Sequence, residues 1–235
     1  LACVLADPKG VAARVLSARG KRPEAARAEV SGGAEGGSRA EKSAEKTGKV
    51  TWAERIDLAT GRPVEAPDIR YEKGETILWP SMLGTHNWQD MSYNPLTGLV
   101  YIPYMQLAAR YSTDVKPGEL NFGGIKLEPW KADAADGTGA VLAWDPVAQR
   151  PRWKVPLETI WNGGTLTTAG LLVFHGAGDG WFSAYDAADG RRLWRFDAGL
   201  GIVGAPISYA AGDTQYVSVL VGYGGTTAAL SSVLN

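Results

Sequence analysis

Residues 170–197 read GLLVFHGAGDGWFSAYDAADGRRLWRFD. Two compact apolar runs, GLLVFHG and WFSAYD, flank a glycine-rich turn, which is the pattern of an antiparallel hairpin. The second run ends on Asp186, the chain turns at Gly190, and a third run begins near Trp194. The same device stands earlier in the chain: Leu142-Ala143-Trp144-Asp145 is followed by Trp153, again eight residues beyond the aspartate. A weaker copy spans Arg55 to Arg62, where Asp57 and Gly61 repeat the Asp-x-x-x-Gly spacing of Asp186 and Gly190 without a closing tryptophan. Each copy reads as a hairpin whose large ring packs on the neighbouring sheet. Repeats of about 40 residues, each a few antiparallel strands, are the signature of a β-propeller. About four such blades fit between residues 50 and 225. A closed ring usually has more, so the expected class is all-β, a partial β-propeller.

Composition agrees. The 30 glycines and 9 tryptophans suit many short strands, tight turns and ring-shaped fillers between sheets. With 235 residues, 45% of them hydrophobic, the chain is long enough to bury a real core. A formal net charge of −1 removes the electrostatic case for nucleic acid or an anionic membrane as partner. No window approaches the roughly 20 apolar residues of a membrane span, and the opening LACVLADPKGVAARVL has neither a basic leader nor a long apolar centre, so no span and no targeting signal are expected. The lone Cys3 reads as a small apolar residue. Three regions emerge. Residues 1–20 read as the remnant of a propeller strand pair. Residues 21–48 are rich in Ala, Glu, Arg, Gly and Ser without an aromatic, and read as a low-complexity flexible insert, because such a stretch buries too little apolar area to offset the entropy of ordering. Residues 49–235 carry the blades.

Other constellations lead nowhere. Gly199-Leu-Gly201-Ile-Val-Gly204 matches a dinucleotide fingerprint as a string, but Pro206 and the strand-like ISYAA follow where a helix would have to start. His86 and His175 are the only histidines and lack partners at metal-ligand spacing, so no zinc site is expected. Asp133, Asp136, Asp145, Asp179, Asp186 and Asp189 neighbour Gly or Pro and read as turn residues. Residues 109–137, ARYSTDVKPGELNFGGIKLEPWKADAADG, read as a long excursion between strands.

Four pieces carry a resemblance: VTWAERIDLATGRPV (50–64), LGTHNWQDMSYNPLTGLVYIPY (83–104), WNGGTLTTAGLLVFHGAGDGWFSAYDAADGRRLWRFDAG (161–199) and GAPISYAAGDTQYVSVLVGYGG (204–225). In order and separation they resemble the last third to half of the eight-bladed propeller of the pyrroloquinoline-quinone (PQQ)-dependent alcohol dehydrogenases, the methanol-dehydrogenase-like quinoproteins and quinohaemoproteins. The Asp-to-Trp repeat is similar to that family's tryptophan-docking motif between blades. The resemblance implies oxidation of alcohols to aldehydes or ketones, a cytochrome c electron acceptor and a periplasmic setting. It also implies PQQ with Ca²⁺ in the complete family enzyme. Carried onto this sequence, the family's cofactor contacts fall on Asn87 and Trp88, on Trp161, and on Lys9 of LACVLADPKG, where the family's following asparagine is replaced by Gly10. An amide can meet quinone or carboxylate oxygens, and an indole offers an apolar wall with one N–H donor. The family's catalytic aspartate and Ca²⁺ ligands come from blades upstream of these motifs, so no catalytic or metal-binding residue is assigned here, and a separate N-terminal half is an implied partner. Two rival readings stand beside this one: a non-catalytic propeller scaffold of the outer-membrane-assembly type, and a truncated inactive gene product.

Overall fold

The computed structural model describes residues 2–6, 46–72, 74–119, 121 and 123–224. All regular structure among them is β: β1 (Ala2–Ala6), β2 (Ala53–Asp57), β3 (Arg62–Glu65), β4 (Thr76–Leu78), β5 (Ser92–Asn94), β6 (Leu99–Gln106), β7 (Ala108–Ser112), β8 (Lys126–Trp130), β9 (Thr138–Asp145), β10 (Arg150–Leu157), β11 (Asn162–Thr167), β12 (Leu172–Ala177), β13 (Trp181–Asp186), β14 (Arg192–Asp197), β15 (Ile207–Ala211) and β16 (Thr214–Val221). Two complete blades are antiparallel four-stranded sheets, β5-β6-β9-β10 and β11-β12-β13-β14. The hairpin β2-β3 and the sheet β1-β16-β15 are the further pieces. The chain is a partial β-propeller, as the repeat implies. Lys9 and all of residues 7–45 lie outside the described residues.

The repeat maps onto equivalent hairpins. Ala143 of β9 pairs with Trp153 of β10, and Ala184 of β13 pairs with Trp194 of β14, each beside a register shift. At all three aspartates the carboxylate caps its own turn: Asp57 accepts from the Ala59 N–H, Asp145 from Val147 and Ala148, and Asp186 from Ala188. These Asx turns explain why the spacing repeats, since a short carboxylate two or three residues before the turn satisfies the N–H groups that the turn exposes.

Docking between blades follows the same logic. The Trp153 indole crosses from the first complete blade to the second and donates to the Ala187 carbonyl at 3.1 Å; the Tyr101 hydroxyl donates to that same oxygen at 2.9 Å. The two rings lie 5.6 Å apart. Leu99, Tyr101, Val141 and Ala143 share one buried cluster with Val173, Tyr185 and Ala187 of the second blade. Gly190 completes the seat, because a Cβ there would stand 2.7 Å from the Trp153 ring. The second blade meets β16 through Phe174, Phe182, Val217, Val219 and Val221, with Trp194 edge-on to Phe182.

Burial defines the inner side. In the second blade β11 is buried along most of its length, whereas β14 is mostly exposed. The inner strands of the two blades touch: Ser92 and Thr165 hydroxyls lie 2.8 Å apart, and the Asn94 amide donates to Thr167 Oγ1 at 2.9 Å. The two sheets thus meet along their first strands, which form the inner side of the partial propeller.

The excursion between β6 and β9 is not a bare loop. Its strands β7 and β8 join β4 in a three-stranded sheet. Buried Asp136 anchors its return: the carboxylate accepts from the Ala132 and Asp133 N–H groups at 3.0 and 2.9 Å, from the Trp79 indole at 3.0 Å and from the Gln106 amide at 3.4 Å. Asp136→Ala leaves these donors unpaired in a buried place and is expected to cost about 3 kcal/mol of stability, read as a lowered denaturant midpoint at unchanged slope.

Candidate cofactor-facing site

Residues 86–91 approach β5, and residues 159–161 approach β11, side by side. The Asp90 carbonyl accepts from the Thr165 N–H at 2.8 Å. Gly164 permits this proximity, since a Cβ there would come within 2.6 Å of the Ala205 Cβ and 3.0 Å of the Asp90 nitrogen. The two indoles therefore meet at the head of the inner strands: Trp88 lies on Trp161 with ring centroids 5.5 Å apart and planes inclined by 36°. The partners differ in exposure. Trp88 is 49% exposed and Trp161 is 0% exposed, packed among Leu83, Met105, Leu107 and Ile160. Trp88 thus presents the outer ring of a tilted pair, backed by a buried one.

Asn87 stands exposed beside it. Its amide nitrogen donates to the Leu83 carbonyl at 3.0 Å, which leaves Oδ1 as the outward acceptor. Further along the same inner segment Met91 and Tyr93 are each more than half exposed. Contiguous exposed apolar side chains of this size mark a surface that binds something. His86 turns away, with Nδ1 at 2.9 Å from the Pro103 carbonyl oxygen, so that nitrogen carries the proton and donates. Lys9 cannot be placed relative to this group because it lies outside the described residues.

Two buried polar atoms here lack a hydrogen-bond partner among the described residues: Trp161 Nε1 and Gln89 Oε1. The Gln89 amide nitrogen reaches only the Met105 sulfur, at 3.6 Å. Orphaned buried groups are rare in folded proteins and collect at functional sites. A flat group with ring nitrogens, carbonyls and carboxylates fits this donor set: the Trp88 face supplies stacking, Asn87 an amide, and Trp161 an unused N–H one ring deeper.

Sequence reasoning missed Gln89, Asn162 and His175 here. Asn162 is fully buried, and its amide nitrogen donates to the Ile160 carbonyl at 2.9 Å and the Tyr104 carbonyl at 3.2 Å. Its Oδ1 faces His175 Nε2 at 3.4 Å. Burial drives the His175 pKa down from the ordinary 6.5 to about 3, so the ring is neutral. The signal for Asn162 was its place before two glycines in WNGG, which suits a strand irregularity. A shallow pocket of about 180 Å³ elsewhere, on the excursion sheet, is lined by Glu75, Arg110, Lys126 and Glu128. Those charges pair with one another at 3.2–3.3 Å, although the buried Arg110 Nε has no partner among the described residues.

Comparisons with known proteins bear on the fold. The family model for the glucose/ethanol/alcohol dehydrogenase β-propeller domain (PQQ) matches residues 129–217. The quinohemoprotein alcohol dehydrogenase ADH IIB of Pseudomonas putida is 52% identical over 187 residues, covering 78% of this chain and 27% of that protein. The 1-butanol dehydrogenase (cytochrome c) of Thauera butanivorans is 36% identical over 195 residues, covering 78% of this chain and 28% of the relative. The crystal structure of the quinohemoprotein alcohol dehydrogenase from Comamonas testosteroni superposes with a TM-score of 0.70 at 39% identity, over 78% of this chain and 29% of that one. Over about three quarters of its length the chain is similar to the PQQ-dependent alcohol dehydrogenases, and it corresponds to the C-terminal part of their propeller. It spans little more than a quarter of the length of these relatives.

Proposed function

We propose that residues 86–91, with Trp161 behind them, form one wall of a PQQ site in an enzyme that oxidises alcohols to aldehydes or ketones and passes the electrons to a cytochrome c. The observation that carries this reading is the half-exposed Trp88 in tilted ring contact with Trp161 at the head of the inner strands, beside the outward acceptor of Asn87. The chemistry supplied by the cofactor when bound is two-electron oxidation of the alcohol, with electrons and protons taken up at its quinone carbonyls. This chain's residues bind and orient. Trp88 covers one face and excludes water from it, and Asn87 fixes the rotation of the flat ring system within that face. Trp161 holds Trp88 in place from beneath. Lys9 is proposed as a further partner of the quinone oxygens, on the resemblance of LACVLADPKG alone. Ca²⁺ beside the quinone, a periplasmic location and a second half of the propeller that supplies the base and the metal ligands are parts of the same proposal.

The complete burial of Trp161 favours a second reading, in which the pair is inter-blade packing in a non-catalytic scaffold. Quinone retention separates the two. Protein incubated with PQQ and Ca²⁺ and then desalted is expected to keep stoichiometric quinone absorbance. Asn87→Ala removes a hydrogen bond to a charged ligand and is expected to weaken binding by about 10- to 100-fold. Absence of retained quinone in the unmodified protein would leave the scaffold.

A further inference from the structure

We infer that Asn162 and His175 form a positioning clamp for Trp161, and through it for the exposed Trp88 face. The inference deepens the cofactor reading and rests on it only for its functional consequence.

The clamp follows from hydrogen-bond accounting. Both amide hydrogens of Asn162 are consumed, one by the Ile160 carbonyl and one by Tyr104 of the neighbouring blade. Only Oδ1 is left to face His175 Nε2, at 3.4 Å, where it and the Gly163 backbone draw on the single N–H of the neutral imidazole. Asn162 thereby ties together the peptide before Trp161, the inner side of the preceding blade and strand β12. The peptide after Trp161 is held as well: its carbonyl accepts from the Gly178 N–H at 2.9 Å and the Thr159 hydroxyl at 3.0 Å. Trp161 is the residue fixed between these two sets of bonds, although its own indole nitrogen makes none among the described residues.

Strand register adds an independent observation. Asn162 pairs with Ala177 and Thr165 pairs with His175, so β11 spends one residue more than β12 across this interval. Such a bulge re-aims side chains and is found beside active sites. It falls on Gly163 and Gly164, directly after the clamp residue. The extra residue lets Asn162 reach Tyr104 in the next blade while Thr165 returns to the ladder and bonds the Tyr101 carbonyl at 3.0 Å. Ring packing alone would demand none of these devices. Together they set the orientation of one indole within the inner wall.

The test reads ring orientation directly. Trp88 and Trp161 are the one tryptophan pair in ring contact among the described residues, and two indoles this close couple their transitions into an exciton couplet in circular dichroism. Trp88→Phe defines the signal by abolishing it. His175→Leu, which removes the donor, and Asn162→Ala are expected to reduce the couplet at least fivefold and to weaken PQQ binding at least tenfold. His175→Gln restores an N–H toward Oδ1 and is expected to recover both. Leu142→Ala, a cavity in the neighbouring blade, controls for general loosening and is expected to leave the couplet intact. A couplet of full amplitude in His175→Leu and Asn162→Ala overturns the clamp. A couplet lost with PQQ affinity unchanged supports the clamp and sinks the cofactor reading.

Discussion

Acidification from pH 6.5 to 4.5 is expected to destabilise the protein by about 2 kcal/mol through His175 alone, the slope rising to about 1.4 kcal/mol per pH unit once the unfolded-state ring is fully protonated. The sign follows from where the proton binds. The folded-state pKa is depressed to about 3 because the ring is wholly buried, with no carboxylate among the causes of the shift. In the unfolded chain it titrates near 6.5. Between these values the unfolded state binds a proton that the folded state refuses, so stability is full above pH 6.5 and falls as pH falls toward 3. Partly exposed Asp57, Asp133, Asp145 and Glu119 are held below their ordinary values, chiefly by turn N–H groups and, for Asp133, by Lys49. Their contributions are lost at still lower pH. Urea midpoints at pH 6.5 and 4.5 for the unmodified protein and for His175→Gln isolate the histidine, because the variant keeps the carboxylates. Parallel pH dependence of the two proteins would contradict the assignment.

Trp153→Ala is expected to cost about 3 kcal/mol or more, within the range for removing a large aromatic from a packed interface. It deletes the ring seated on Gly190, the contact with Tyr101 and one of two donors to the Ala187 carbonyl. Trp153→Phe keeps most of the packing and loses the hydrogen bond, which the Tyr101 hydroxyl still satisfies from the other side; about 1 kcal/mol is expected. Equilibrium unfolding of both variants checks this. A loss under about 1 kcal/mol for the alanine variant would mean that the blades are not held by this docking.

The radial fold was legible because it is written twice in local chemistry. Asp145 and Asp186 cap their own turns, and Trp153 and Trp194 follow at a fixed interval, so a two-copy pattern reveals hairpins whose rings must pack outward on a neighbour. Strands β7 and β8 were not legible as strands. They carry charge pairs, Arg110 with Glu128 across the two strands and with Glu75 before β4, and Lys126 with Glu128 on its own strand and with Glu119 of the preceding loop, and the Arg110 guanidinium lies 3.7 Å from the Trp130 ring centroid. Those contacts leave no apolar alternation to read. At the site, HNWQDM drew attention to Asn87 and Trp88 by residue type. That Trp161 would lie beneath Trp88 depends on two inner strands from different blades running side by side. Only the tertiary register fixes that. Asn162 and His175 were hidden for the same reason, since one looks like a loop residue and the other like a strand filler until the bulge between them is seen.

The claim on which the rest depends is that the outer face of Trp88 meets the quinone. Titration of the protein with PQQ, followed by quenching of tryptophan fluorescence in the unmodified chain and in Trp88→Ala, tests it most directly. Saturable quenching, with the dissociation constant raised at least tenfold by the substitution, is the predicted result. Equal affinity in the two proteins would contradict it and move the quinone away from this wall.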